Sequence, residues 1–210
     1  MLKEIFAILL FFMTVRYTNF KIPKLGDRLM EKKRTSSALC IALIAVLTAV
    51  VVVFTIVVKI PTPTKGYLNL ADLAICFIAF TFSPITAFIA GGLGTCLADI
   101  ISGYPQWAPI SFLVHGLEGL LVSMIVRRTS EQVREGFKVP AYRVILAMII
   151  CIVVVAGGYF VLGATVMSIG WGAAAAGIPG NVAQAGIGVV AGYALSRSVI
   201  KAYPPVQGLL

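Results

Sequence analysis

From Ser37 to Val58 the chain carries no charged side chain, and five further apolar runs follow it. They are Leu70–Phe82, Ile85–Ser102, Trp107–Val126, Tyr142–Met167 and Ile178–Leu195, separated by breakers such as Pro61-Thr62-Pro63, Ser83-Pro84 and Gly103-Tyr104-Pro105. A helix crossing a hydrocarbon core needs roughly 17–25 apolar residues, and in lipid every backbone polar group must be bonded internally. Leu70–Phe82 is short by that measure and is expected to tilt, to lie partly outside, or to extend through Gly66–Asn69. The polar–apolar alternation of a membrane barrel is absent. Composition agrees, with 60% hydrophobic residues and only 12% charged, where soluble domains carry about 25%. The mean hydropathy is +1.00. The expected fold is an all-α integral membrane protein, a bundle of six transmembrane helices with no room for a soluble catalytic module.

The net charge of +9 invites a nucleic-acid reading, but in a membrane protein charge is read by location. Lys3, Arg16, Lys21, Lys24, Arg28, Lys32, Lys33 and Arg34 precede the first run. Arg127, Arg128, Arg134, Lys138 and Arg143 lie between the fourth and fifth, and Arg197 and Lys201 close the sixth. With six spans these residues share one side, against Lys59 and Lys65 on the other, so both termini are expected in the cytoplasm of a multi-pass plasma-membrane protein. No nucleic-acid partner is expected. Residues 1–33 form an expected cytoplasmic or surface-lying extension, with Met30 as an alternative start; 34–200 form the six-helix domain and 201–210 a cytoplasmic tail. Ile5–Met13 is too short to span, and the stretch after it lacks a signal-peptide cleavage pattern.

Polar residues inside the runs carry the functional signal. His115, the only histidine, and Glu118 lie at i and i+3 on one helix face, near mid-depth of the fourth run. An ionisable group there is costly unless it is paired or lines a polar cavity. Asp72 and Asp99 fall near the outer ends of the second and third runs, and Asn181 and Gln184 repeat the i, i+3 spacing in the sixth. Tyr67, Asn69, Tyr104, Gln106, Trp107 and Trp171 belong to outer connections. Nearly all of these groups share the outer half, which favours a pocket opening outward. Plain structural roles compete: helix-end solvation for Asp72 and Asp99, an interfacial belt for Trp107 and Trp171, and interhelical hydrogen bonding for the rest.

Cys40, Cys76, Cys96 and Cys151 lie inside apolar runs without metal-site spacing. They read as small buried hydrophobes, with neither a disulfide nor a metal expected. Glycines stud the third, fourth and sixth runs, where small residues let helices approach closely. On the first run Ala38, Ala42, Ala45 and Ala49 form two small-xxx-small pairs, suited to internal packing or to docking another membrane protein.

The strings GYLNLADL (66–73), GGLGTCLADIISGYPQWAPISFLVHGLEGLL (91–121) and IPGNVAQAGIGVVAG (178–192) resemble the substrate-binding S components of energy-coupling factor (ECF) vitamin transporters. The resemblance spans about residues 34–200 and is strongest to the hydroxymethylpyrimidine or pyridoxine-type group. It implies a six-helix bundle that takes a vitamin or precursor from outside. It also implies a transmembrane coupling subunit and two cytoplasmic ATPases as partners, docked through Ala-x-x-x-Ala pairs that Ala38/Ala42 and Ala45/Ala49 resemble. In this chain His115 replaces the lysine of the family's Lys-Gly-Leu-Glu-Gly, and Ala71 replaces the glycine before Asp72. The expected substrate-binding set is His115, Glu118, Asn181, Gln184, Tyr67, Asn69, Asp72, Asp99, Tyr104 and Trp107. No Gly-x-x-x-x-Gly-Lys-[Ser/Thr] loop is present, so no cofactor is expected and energy must come from partners. The competing readings are an autonomous proton-coupled carrier relaying through His115, Glu118 and Asp99, and an intramembrane enzyme. Neither the repeats of the first nor a nucleophile for the second is evident.

Overall fold

The computed structural model describes residues 37–62, 66–127, 139–203 and 206. The expected extension at 1–33, with its alternative start, lies outside them. Six helices fall on the six apolar runs. Helix α1 is Ser37–Val57, α2 is Ala71–Thr81, α3 is Pro84–Ile101, α4 is Ala108–Val126 and α5 is Ala141–Thr165. A short α6, Trp171–Ala176, precedes α7, Ile178–Ala202. Helix α7 therefore runs past Leu195 into the segment read as a tail. Among the described residues five stretches are long and apolar enough to cross a membrane, one of them Trp171–Ala202 taken together. The sixth helix, α2, has 11 residues and rises about 16 Å, well short of a core about 30 Å thick.

Local chemistry sets the boundaries. Ser83 caps α3, its hydroxyl accepting from the Thr86 N–H at 3.3 Å, with Pro84 in the first turn. Asn69 accepts from the Ala71 N–H at 2.7 Å and so fixes the entry to α2. Between α1 and α2 the chain makes a small antiparallel hairpin, β1 (Ile60–Pro61) pairing with β2 (Tyr67–Leu68). Before α6 the backbone turns through Ser168 and Gly170, at φ of 51° and 86°, the left-handed region that glycine favours.

Close approach depends on missing side chains. A Cβ on Gly188 would lie 2.5 Å from Asp72 Cβ, and one on Gly192 would lie 2.7 Å from Cys76 Cβ, so α7 rests directly on α2. Gly119 likewise brings α4 against the Ala87 carbonyl of α3. Ile75, Ile78, Val51 and Val122 fill the middle with almost no exposure. Ile145, Ile149 and Val153 of α5 instead point outward, 59%, 52% and 60% exposed, a surface that lipid solvates. Polar contacts also occur at the far end of α2 from Asp72. There Thr81 donates to the Ser196 hydroxyl at 3.0 Å.

Candidate functional site

Helix α4 delivers His115 and Glu118 to one buried face, as their spacing requires, and α2 brings Asp72 to the same point. His115 Nδ1 lies 2.7 Å from Glu118 Oε2 and 3.2 Å from Asp72 Oδ1. With the carboxylates ionised they only accept, so Nδ1 carries the proton. All three residues are at most 1% exposed. Gln184 of α7 completes the cluster: its amide donates to Asp72 Oδ2 at 2.9 Å, and its carbonyl accepts from the Asn69 N–H at 2.8 Å. The remaining oxygen of Glu118 accepts from the thiols of Cys76, at 3.6 Å, and Cys151, at 3.3 Å. Those two cysteines therefore act as polar partners rather than as hydrophobes. All four cysteines are free. Two overlapping sets, Cys76–Glu118–Cys151 and Asp72–His115–Glu118, present groups that could hold a cation. Hydrogen bonds within the cluster account for the spacings seen.

Above this cluster lies a cavity enclosing about 640 Å³ of empty space, its open mouth included. Of the expected residues, Tyr67, Asn69, Asp99, Trp107, His115, Asn181 and Gln184 line it. Asp72 and Glu118 sit behind His115, and Tyr104 stands outside the wall, its ring 5.0 Å from that of Tyr67. Trp107 is only 6% exposed and is a wall residue, not part of an interfacial belt. Trp171, 59% exposed, packs on Phe160 and stays outside. Asn181 is half-buried and makes no side-chain hydrogen bond among the described residues.

Five polar lining residues, Thr55, Thr62, Thr95, Ser111 and Tyr159, were not among those expected from the sequence. Tyr159 of α5 crosses rings with Trp107 at 5.9 Å and with His115 at 5.7 Å, and its hydroxyl is 2.7 Å from Ser111 Oγ. A lone phenol deep in the fifth apolar run was its only signal. Thr95 and Ser111 also face the cavity. At the hairpin, Tyr67 donates its O–H to Asp99 Oδ1 at 2.8 Å. Burial first, and then the Asp99 carboxylate, push the Tyr67 phenol above its ordinary value, so it remains a donor at neutral pH.

Lipid-facing helices around a polar, aromatic-walled cavity define a membrane protein built to hold a small solute. Residues 35–202 match the family described as the ECF-type riboflavin transporter, S component. The chain is 30% identical over 173 residues to the thiamine precursor transporter HmpT of Lactococcus lactis subsp. cremoris (strain MG1363), covering 82% of this chain and 90% of that one. It is 32% identical over 157 residues to an uncharacterised protein of Pyrococcus woesei, covering 74% and 98%. The chain belongs to the ECF S-component family. It is a membrane-embedded transporter component and not an enzyme.

Proposed function

We propose that this chain is the substrate-binding subunit of an ATP-driven importer, and that it captures a vitamin or vitamin precursor of the hydroxymethylpyrimidine, pyridoxine or thiamin-related group. The observation that carries this reading is the cavity itself. Donors and acceptors on Tyr67, Asp99, Asn181 and His115 share its lining with the rings of Trp107 and Tyr159. A flat heteroaromatic ring with a few polar substituents needs such a lining. The relative that is a thiamine precursor transporter supports the same substrate class. The basic residues flanking the spans favour six spans, cytoplasmic termini and a cavity mouth facing outward. Energy then comes from a transmembrane coupling subunit and two ATPases docking on the Ala38, Ala42, Ala45 and Ala49 stripe.

Uptake measured in proteoliposomes tests this. Labelled 4-amino-5-hydroxymethyl-2-methylpyrimidine should accumulate only when the chain is reconstituted with an ECF module and internal ATP. Accumulation by the chain alone, driven by a proton gradient, would establish the autonomous carrier instead.

A further inference from the structure

The cavity has two polar poles, and they differ in what they still need. At the His115 pole Glu118 bonds the imidazole and Gln184 bonds Asp72 Oδ2, while Asp72 Oδ1 has no hydrogen bond but faces the imidazole at 3.2 Å. At the other pole, on α3, Asp99 is 5% exposed and lines the cavity. Its Oδ1 accepts from Tyr67, while Oδ2 is buried without a hydrogen-bond partner. The Ser111 hydroxyl lies beside Asp99 and 2.7 Å from the Tyr159 hydroxyl, so it is shared between the two and leaves Oδ2 open. A buried acceptor left in this way calls for a donor from the occupant.

Charge narrows the donor. Among the described residues no lysine or arginine lines the cavity. Lys59 is exposed outside that lining, its Nζ 3.1 Å from Ser102 Oγ and 5.9 Å from the Tyr67 ring centre. Three carboxylates, on Asp72, Asp99 and Glu118, thus face one imidazole among the described residues. Tyr67 already gives Asp99 a neutral O–H, so a cationic donor is the complement that answers both the unpartnered oxygen and the excess negative charge.

We propose that the ligand carries a basic nitrogen, bound protonated against Asp99 Oδ2, and carries no phosphate or carboxylate. This rests on the reading of the chain as a heterocycle-binding subunit and sharpens it. An aminopyrimidine or a pyridine has such a nitrogen, whereas the isoalloxazine of riboflavin has none that protonates near neutrality. A phosphate would bring further negative charge to a lining that has no lysine or arginine among the described residues, and that repulsion selects against phosphorylated forms.

The test is isothermal titration of the full chain in lipid nanodiscs with four probes. They are 4-amino-5-hydroxymethyl-2-methylpyrimidine, its non-basic 4-oxo analogue, its phosphate ester, and riboflavin. The wild type should bind the amino compound at least tenfold more tightly than each of the other three. Asp99→Asn keeps the shape and removes the charge. It should weaken the amino compound at least tenfold and close the gap to the 4-oxo analogue. Tyr67→Phe should weaken binding less and keep the gap, because it removes only the group that aims the carboxylate. Should Asp99→Asn fail to fold, the wild-type comparison and Tyr67→Phe still decide. A wild type that binds a probe without preferring the amino compound, or an Asp99→Asn chain that binds it undiminished, overturns this inference alone. Binding of none of the four to the wild type overturns the heterocycle reading as well.

Discussion

At the scale of single residues, His115 and Asn181 separate two kinds of polar group. His115 sits between Asp72 and Glu118, so His115→Ala leaves two buried carboxylates facing each other. Breaking a buried pair in this way costs about 3–5 kcal/mol. The variant should therefore melt markedly lower in detergent as well as bind ligand weakly. Asn181 makes no such bonds, so Asn181→Ala should melt like the wild type while ligand affinity falls several-fold, about 1–3 kcal/mol for one lost hydrogen bond. A calorimetric melt beside a ligand titration checks both; unchanged affinity for Asn181→Ala would remove it from the site. The His115–Glu118 contact was legible because i, i+3 spacing fixes it within one helix. The thiols of Cys76 and Cys151 at Glu118 were not, because they come from α2 and α5, and only packing brings those helices to α4. Gln184 was expected at the ligand, yet its amide also ties Asp72 to Asn69, a link that spacing within α7 cannot reveal.

At the scale of elements, apolar run length located all six expected helices to within a few residues, except that α7 extends to Ala202. The hairpin and α6 were missed for physical reasons. Each strand is two residues long and β1 includes Pro61, so neither shows strand periodicity. Helix α6 is six residues of Trp, Gly and Ala, too brief for a 3.6-residue pattern. Both elements matter to the site, since Tyr67 on β2 and Ala174 on α6 line the cavity. The contact between α2 and α7 is the element-level feature most exposed to mutation. Gly188→Val would force side-chain atoms onto the Asp72 backbone and disturb its bond to Gln184. Such overpacking costs about 1–3 kcal/mol. Gly186→Ala, with nothing within 4 Å of the added carbon, should be neutral. Thermal unfolding of the two variants side by side tests the packing; equal melting temperatures would contradict it.

At the scale of the whole molecule, the alanine stripe contributes no residue to the cavity lining. Ala38, Ala42, Ala45 and Ala49 are all exposed, while Leu47, Val51 and Thr55 of the same helix are buried. A smooth exposed stripe suits a crossing partner helix, because close van der Waals contact drives association in lipid. Ala42→Trp should therefore abolish co-purification of the ATPase module and ATP-driven uptake, while ligand binding to the solitary chain persists. Loss of binding with the module still attached would assign the stripe to internal packing. Membrane residence was readable from composition alone, and the family from three short strings. Which side the cavity faces was read only from the positions of lysine and arginine.

The central claim is that a small heterocyclic vitamin precursor enters the cavity that Trp107 and Tyr159 line, and intrinsic fluorescence addresses it directly. The chain has two tryptophans; Trp107 lines the cavity, and Trp171 is exposed outside it. Titration with 4-amino-5-hydroxymethyl-2-methylpyrimidine should give a saturable change in emission that Trp171→Phe retains and Trp107→Phe loses. A saturable change that survives Trp107→Phe, or no saturable change in the wild type, would contradict the account.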